Sequence, residues 1–426
     1  MTGNLTRTFF LKRIWLMMLS VGPGIFCIGY TIGTGSVTTM AKAGSQFGMQ
    51  LIWVLSLSCL FSWVLMEAYG RFAVITGETT MHGFRTRIRF GKPVAILIMI
   101  GVITGQWNAL NGILGVCSSA IYEGLHSFIP GIKINNYWGV LGIAVVIILI
   151  MYALLWVGRY SFFEKVLVIF VTLMGISFFV SMFIVLPSPK EIVAGFIPHI
   201  PDAAGGKLMV TAFVGTTMAA PTFVVRPLLM KGKGWTKIHT REQSRDAFIS
   251  ALFMFVISAS IMAAATGVLF HHGQVIEKVL DMIQILEPMM GKYVMAFFLV
   301  GILSAGLSSI FPIIMVAPLL IADYRAGVLD IRSKLFRFLA GVACLLGLIV
   351  PLLGINPVAA QIATQVPNVF VLPVVIFTIA YLLNRKDYMG EHRAGVALNT
   401  GLGAAFVFSC FISYTGVLAL MEMFAG

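Results

Sequence analysis

Residues 22–49 read GPGIFCIGYTIGTGSVTTMAKAGSQFGM, and the reading of this stretch decides the fold. Most of it is apolar enough to lie in a bilayer, yet its middle, Thr31-Ile32-Gly33-Thr34-Gly35-Ser36, is poor helix. Glycines weaken a helix interior, and the neighbouring hydroxyls offer the backbone competing hydrogen bonds. At membrane depth an interrupted backbone persists only where it is buried in protein or lines a wet cavity. A hydrophobic span broken in this way points to a transporter's binding site. Taken alone, the stretch also fits a small-residue face that lets two helices pack closely.

Composition sets the class around it. Hydrophobic residues make up 59% of 426 and charged residues only 11%, with a mean hydropathy of +0.97. Soluble domains carry about 25% charged residues, so the chain reads as an all-α, polytopic membrane protein. The net charge of +13 does not indicate nucleic acid, because the basic residues lie in short loops between spans. The five cysteines (Cys27, Cys59, Cys117, Cys344 and Cys410) fall in apolar segments with no metal or disulfide spacing. The first apolar segment follows Lys12-Arg13, lacks a small-residue cleavage site and continues into a full span, so no cleavable signal is expected.

Outward from the first span, eleven spans are predicted. They lie at 14–41, 49–70, 93–122, 137–157, 162–186, 206–230, 246–270, 291–322, 336–353, 357–383 and 394–423. With the N-terminus inside, the inner segments hold 22 of the 29 Lys and Arg, the outer ones six, and Arg226 lies within a span. That asymmetry predicts a cytoplasmic N-terminus and an outside C-terminus. No loop is long enough for a second domain, so residues 1–426 read as one membrane domain.

The sixth span repeats the oddity of the first. It reads LMVTAFVGTTMAAPTFVVRPLLM over 208–230, with Pro221 at its centre and Thr216, Thr217 and Thr222 nearby. Proline removes a backbone donor and clashes with the preceding turn, which predicts a break or kink. Interrupted helices at positions one and six match an inverted repeat of five plus five helices. The expected repeats are 14–186 and 206–383, with 394–423 as an eleventh transmembrane helix. Unwinding is expected near Gly33–Ser36 and Met218–Thr222.

Short strings along the whole chain carry a family resemblance. They include Gly22-Pro23-Gly24, Gly44-Ser45-Gln46-Phe47-Gly48 and Val74-Ile75-Thr76-Gly77-Glu78. Further on come Gly195-Phe196-Ile197-Pro198-His199-Ile200-Pro201-Asp202, Ser304-Ala305-Gly306-Leu307-Ser308-Ser309, Gln365-Val366-Pro367 and Asn384-Arg385-Lys386-Asp387-Tyr388-Met389-Gly390. In order and spacing the chain resembles the Nramp (natural resistance-associated macrophage protein) family, proton-coupled importers of divalent transition metals. The resemblance implies a leucine-transporter-type fold with helices 1 and 6 unwound.

The resemblance also shows where this chain departs. The family's first break reads Asp-Pro-Gly-Asn and supplies metal ligands; the matching residues here are Gly33-Thr34-Gly35-Ser36. The family's Met-Pro-His in span six becomes Ala219-Ala220-Pro221, and a later histidine becomes Arg226. The Asp and Glu of the family's third span, which serve its proton route, become Asn108 and Asn111. Each ionisable or soft group of the metal and proton machinery is thus replaced by a small or neutral one, except the histidine that becomes Arg226. This pattern implies a changed substrate.

Expected substrate-binding residues are Gly33, Thr34, Gly35, Ser36, Thr217, Ala219, Pro221, Asn108, Asn111, Gln361 and Gln365, with Thr34 and Ser36 as metal ligands and Arg226 in the pathway or gate. The small residues predict a roomier pocket, lined by hydroxyls, amides and backbone carbonyls freed at both breaks. Hard oxygen donors suit Mg²⁺ or Ca²⁺ rather than Mn²⁺ or Fe²⁺, and Mg²⁺ keeps several waters and needs width. The resemblance includes Nramp-related proteins that carry magnesium. Against a cation stands the lack of a carboxylate, which leaves a neutral or anionic solute, or a non-transporting sensor, as alternatives.

Other polar residues are read more plainly. Arg226 is expected to snorkel to the inner surface, and Glu67 to pair with Arg71. Gln361 and Gln365 either line the path or bond a neighbouring helix, and His271-His272 read as a solvated turn. The remaining carboxylates, Glu67, Glu123 and Glu164, lie towards helix ends, so no proton coupling is expected. No span carries an enzyme's constellation, so no enzyme activity and no cofactor are expected. The expected partners are the lipid bilayer and a small inorganic ion or solute, with no nucleic acid. The expected state is a monomer in a bacterial inner membrane.

Overall fold

The computed structural model describes residues 23–129, 135–156, 187–279, 281–282, 294–326 and 332–425, together with 169 and 176. Among these residues all regular structure is helical. The expected fifth span, 162–186, and the beginning of the first lie outside them.

The first span is two short helices, α1 (Pro23–Thr31) and α2 (Thr34–Phe47), rather than one. Then come α3 (Ile52–Thr76), α4 (Thr80–Arg87), α5 (Gly91–Phe128) and α6 (Asn136–Trp156). After α7 (Pro189–Ala194), the sixth span divides into α8 (Gly206–Thr217), α9 (Ala220–Val224) and α10 (Arg226–Gly232). The remainder is α11 (Thr240–Val268), α12 (Val294–Ala326), α13 (Lys334–Gly347), α14 (Ile349–Leu353), α15 (Pro357–Ala363), α16 (Leu372–Asn384), α17 (Lys386–Met389) and α18 (Val396–Ala425). Nine segments among the described residues are long and apolar enough to cross a membrane.

Their burial separates an inner set from an outer one. The spans built on α3 and α8–α9 are 72% and 89% buried within the protein, whereas α6 is 28% and α18 is 39%. The apolar residues that α6 and α18 leave exposed, such as Leu149 and Val407, are suited to hydrocarbon, where they carry no cost. The broken helices sit in the middle: α1 and α2 pack on α11 and α12, and α8 packs on α2 and α15.

Both breaks are tighter than the sequence predicts. Only Ile32 and Gly33 lie between α1 and α2, so Thr34, Gly35 and Ser36 are helical, not unwound. Gly33 caps α2 with an extended backbone (φ −105°, ψ −168°), and its carbonyl already accepts from Val37 N–H at 2.9 Å. In the sixth span only Met218 and Ala219 separate α8 from α9. Pro221 is not in the break but in the first turn of α9, where its missing N–H is one that a helix start leaves unpaired anyway.

Candidate functional site

The two breaks meet at a cavity of about 20 Å³. Tyr30, Gly33 and Gly35 line it from the first span, and Thr216 and Ala219 from the sixth. Gln106, Ala109 and Ile113 of α5 face it, as do Ser309 and Ile313 of α12, with Gln365 just beyond α15. The three α5 residues follow i, i+3, i+7 spacing and so form one stripe. Asn108 and Asn111 stand about 100° and 200° around that helix from Ala109, at about 100° per residue. Neither is among the lining residues, and Asn111 Nδ2 donates instead to Trp107 O at 3.2 Å within its own helix. The amide that α5 presents is Gln106, which sequence reasoning missed.

Of the expected binding residues, the cavity brings together Gly33, Gly35, Ala219 and Gln365. Thr34, Ser36, Thr217, Pro221 and Gln361 are buried beside it without lining it. Gln361 and Gln365 both press on α2: a Cβ at Gly35 would lie 2.9 Å and 2.8 Å from their Nε2 atoms. Gln365 belongs to an amide chain, in which Asn368 Nδ2 donates to Gln365 Oε1 at 3.3 Å and Gln106 Nε2 donates to Asn368 Oδ1 at 2.8 Å. Gln361 is fully buried, and neither of its amide heteroatoms has a hydrogen-bond partner.

The site is not the roomy pocket that the small residues predict. A Cβ at Gly33 would fall 1.8 Å from Ser309 Oγ and 2.6 Å from Ser309 Cβ, so the volume of a side chain there is filled from α12. That hydroxyl donates to Gly29 O at 2.7 Å, taking one carbonyl near the first break. Ser62 of α3 likewise donates to Thr217 O at 3.1 Å, at the end of α8. Two carbonyls expected as free ligands are therefore satisfied by the protein's own hydroxyls.

Arg226 does not snorkel. It is fully buried, and its Nη2 donates to Asp246 Oδ2 at 2.7 Å and to Gln243 O at 3.2 Å. A buried charge demands a partner, and Asp246, the one acidic residue in 246–270, was the available signal. The pair Glu67–Arg71 forms as expected at 2.9 Å, and Glu67 Oε2 also accepts from Gln243 Nε2 at 2.7 Å and Ser244 Oγ at 2.5 Å. A second buried carboxylate that sequence reasoning missed, Asp323, accepts Met81 N–H at 3.0 Å and ties α12 to the start of α4. His271 and His272 are exposed, with His271 Nε2 at 3.1 Å from Glu191 Oε1. Among the described residues no three His, Cys, Asp or Glu side chains converge as a metal cluster.

A larger recess of about 490 Å³ lies at the far end of α2, lined by Lys42, Gln46, Leu208, Ile276, Glu277 and Asn356 among others. Lys42 Nζ donates to Ile276 O at 2.5 Å and Asn356 Nδ2 to Glu277 O at 3.1 Å, which holds residues 276–277 over that end of the bundle.

A family model described as natural resistance-associated macrophage protein-like matches residues 24–419. The chain belongs to the Nramp family. Similar relatives include the divalent metal cation transporter MntH of Deinococcus radiodurans, 23% identical over 383 residues covering 87% of this chain and 83% of that one. The MntH of Listeria innocua is 26% identical over 408 residues, covering 90% and 85%. Among solved structures, a variant of the Eremococcus coleocola manganese transporter superposes with a TM-score of 0.72 at 16% identity, covering 97% of this chain and 88% of that one. A nucleobase-cation-symport-1 family transporter with bromovinylhydantoin bound gives 0.59 at 15% identity, covering 95% and 90%. This Nramp chain is thus an integral membrane protein of the transporter class, helical in the regular structure of its described residues, with a fold shared with the Nramp and leucine-transporter-type structures it superposes on.

Proposed function

We propose that this Nramp chain moves a divalent cation through a site of neutral oxygen ligands, favouring hard ions such as Mg²⁺ over transition metals and carrying no proton. One observation supports the reading above others. Gly33 and Ala219 stand on the cavity wall at the positions that match the family's Asp and Met, and the polar groups around them are hydroxyls and amides: Tyr30, Gln106, Thr216, Ser309 and Gln365. Among the described residues, none that lines the cavity is a carboxylate or carries sulfur. Oxygen without thioether suits hard cations, and transition metals lose the soft ligand that distinguishes them. The relatives named as divalent metal transporters support the ion class; the altered wall argues against their metal.

The cavity's size adds a condition. About 20 Å³ accommodates one water-sized body. A magnesium ion that keeps its shell of about six waters is several times larger than that single body. Mg²⁺ sheds water reluctantly, so the hydrated ion enters only a wider state, reached when α1 and α9–α10 move relative to α5 and α12. The recess at the far end of α2 then serves as the outer entrance. The reading carries with it the inverted repeat of 14–186 and 206–383, with 394–423 added, and a cytoplasmic N-terminus in a bacterial inner membrane.

The buried Gln361 amide favours one second reading, a small neutral solute recognised by hydrogen bonds. Proteoliposomes decide between them. Uptake of Mg²⁺ or Ca²⁺ above protein-free vesicles supports the cation; saturable uptake of a neutral solute with no flux of either ion replaces it.

A further inference from the structure

At the end of the bundle nearest the N-terminus of α1, one carboxylate joins α1 to both α10 and α11. Asp246 of α11 reaches in two directions: its Oδ2 takes the Arg226 guanidinium of α10, and its Oδ1 accepts Gly24 N–H of α1 at 3.3 Å. Gly24 has no space beside it. A Cβ there would lie 2.1 Å from Ser250 Oγ and 2.6 Å from Asp246 Oδ1. One turn further along α1, Cys27 Sγ donates to Thr222 O at 3.3 Å and stands 3.8 Å from Arg226 Nη1. α1 and α10, which the two breaks separate from the outer halves of their spans, therefore converge with the unbroken α11 on one buried ion pair.

We propose that Asp246 is the latch of the pathway at the α1 end, a gating residue that holds α1 against α10 and α11 and must release it for the cargo to pass. α1 is nine residues long and ends at the Ile32–Gly33 break, so it can pivot as a unit once its first turn is freed. A dry ion pair forfeits hydration of both charges, which it recovers when water enters, so its closed and open forms lie close in free energy. An apolar contact in the same place gains nothing from water and would favour closure. The glycine at position 24 lets the carboxylate approach the backbone of α1, which no larger residue would allow without displacing it. The latch rests on the transporter reading for its purpose but not for its detection, since opening can be read without any flux.

Cys27 supplies the readout. Replacing Cys59, Cys117, Cys344 and Cys410 by Ala leaves it as the sole thiol of the full-length protein. A charged, membrane-impermeant maleimide then reports water access to the latch. Asp246→Asn is expected to raise the labelling rate at least tenfold over the parent. Gly24→Ala, which crowds the same carboxylate without altering any charge, is expected to act in the same direction and carries the test if Asp246→Asn does not fold. A companion protein retaining only Cys344, buried on α13, is expected to label within twofold of its parent in both backgrounds. Cys27 labelling unchanged within twofold in the folded variants overturns the latch. Equal acceleration at Cys344 also overturns it, because that marks general loosening. Loss of all flux in proteoliposomes with the Cys27 pattern intact would sink the transporter reading and leave the latch standing.

Discussion

Restoring the family's carboxylate at position 33 tests the packing of this site directly. In Gly33→Asp the new Cβ falls 1.8 Å from Ser309 Oγ and 2.6 Å from its Cβ, far inside contact distance. Rotating the hydroxyl away relieves the first overlap but not the second, so α12 must also shift. Overpacking of this kind costs about 1–3 kcal/mol. Ser309 also loses its bond to Gly29 O, worth about 0.5–1.5 kcal/mol. The expected destabilisation is roughly 2–4 kcal/mol, before the burial of the carboxylate itself is counted. Thermal unfolding of detergent-purified protein, followed by tryptophan fluorescence in the presence of a chelator, reads the loss. In Gly33→Asp/Ser309→Gly the overlap disappears, and Mn²⁺ at a hundred times its Kd is expected to recover about 2.7 kcal/mol. A Gly33→Asp protein as stable as the unmodified chain in chelator refutes the filled-site reasoning.

The remaining predictions concern packing, protons and acid. Gly112→Ala places a Cβ 2.6 Å from Gln361 Cα, a backbone atom that cannot rotate away, and is expected to lower stability by about 1–3 kcal/mol in the same melt. Substrate uptake is expected to bring no acidification of a pH-sensitive dye inside proteoliposomes, since among the described residues no carboxylate or histidine lines the cavity; substrate-dependent acidification would point to Asp246 or Asp323 as carriers. In the first turn of α17, hydrogen bonding to Arg385 holds the Asp387 carboxyl below its ordinary value. Its lowered value means the contribution is complete above about pH 4 and fades only as pH falls further, so Asp387→Asn is expected to leave stability at pH 7 to 5 parallel to the unmodified chain and to diverge only in stronger acid. Divergence near neutrality would contradict that assignment.

Much of the architecture was legible because it follows from solvent. Spans such as Ile52–Thr76 and Thr240–Val268 announce themselves by hydropathy, and the breaks by Gly33 and Pro221. What the pattern could not give was the extent of each break. Thr34 and Ser36 are weak helix formers, yet burial against α11 and α12 keeps them helical, an instance of tertiary packing overriding propensity. The site was half legible for a similar reason. Position-by-position comparison finds Gly33 and Ala219, but which side of α5 faces the cavity depends on a helix rotation that no single span reveals, hence Asn108 and Asn111 rather than Gln106. The partner of Arg226 lies on a helix 20 positions further along the chain, and the filling of position 33 comes from Ser309, in a different helix altogether. Long-range contacts of this kind leave no local pattern.

The central claim is that a wall without Asp and Met no longer prefers transition metals. Competition in proteoliposomes measures it most directly: Mg²⁺ entry reported by an internal indicator, with Mn²⁺ added outside over the micromolar range. The account predicts Mg²⁺ entry that is unchanged by micromolar Mn²⁺, with Mn²⁺ binding no tighter than about 1 mM, roughly −4 kcal/mol. Inhibition at micromolar Mn²⁺, accompanied by Mn²⁺ uptake, would contradict it and show that the neutral oxygens of this cavity suffice for the metal that its relatives are named for.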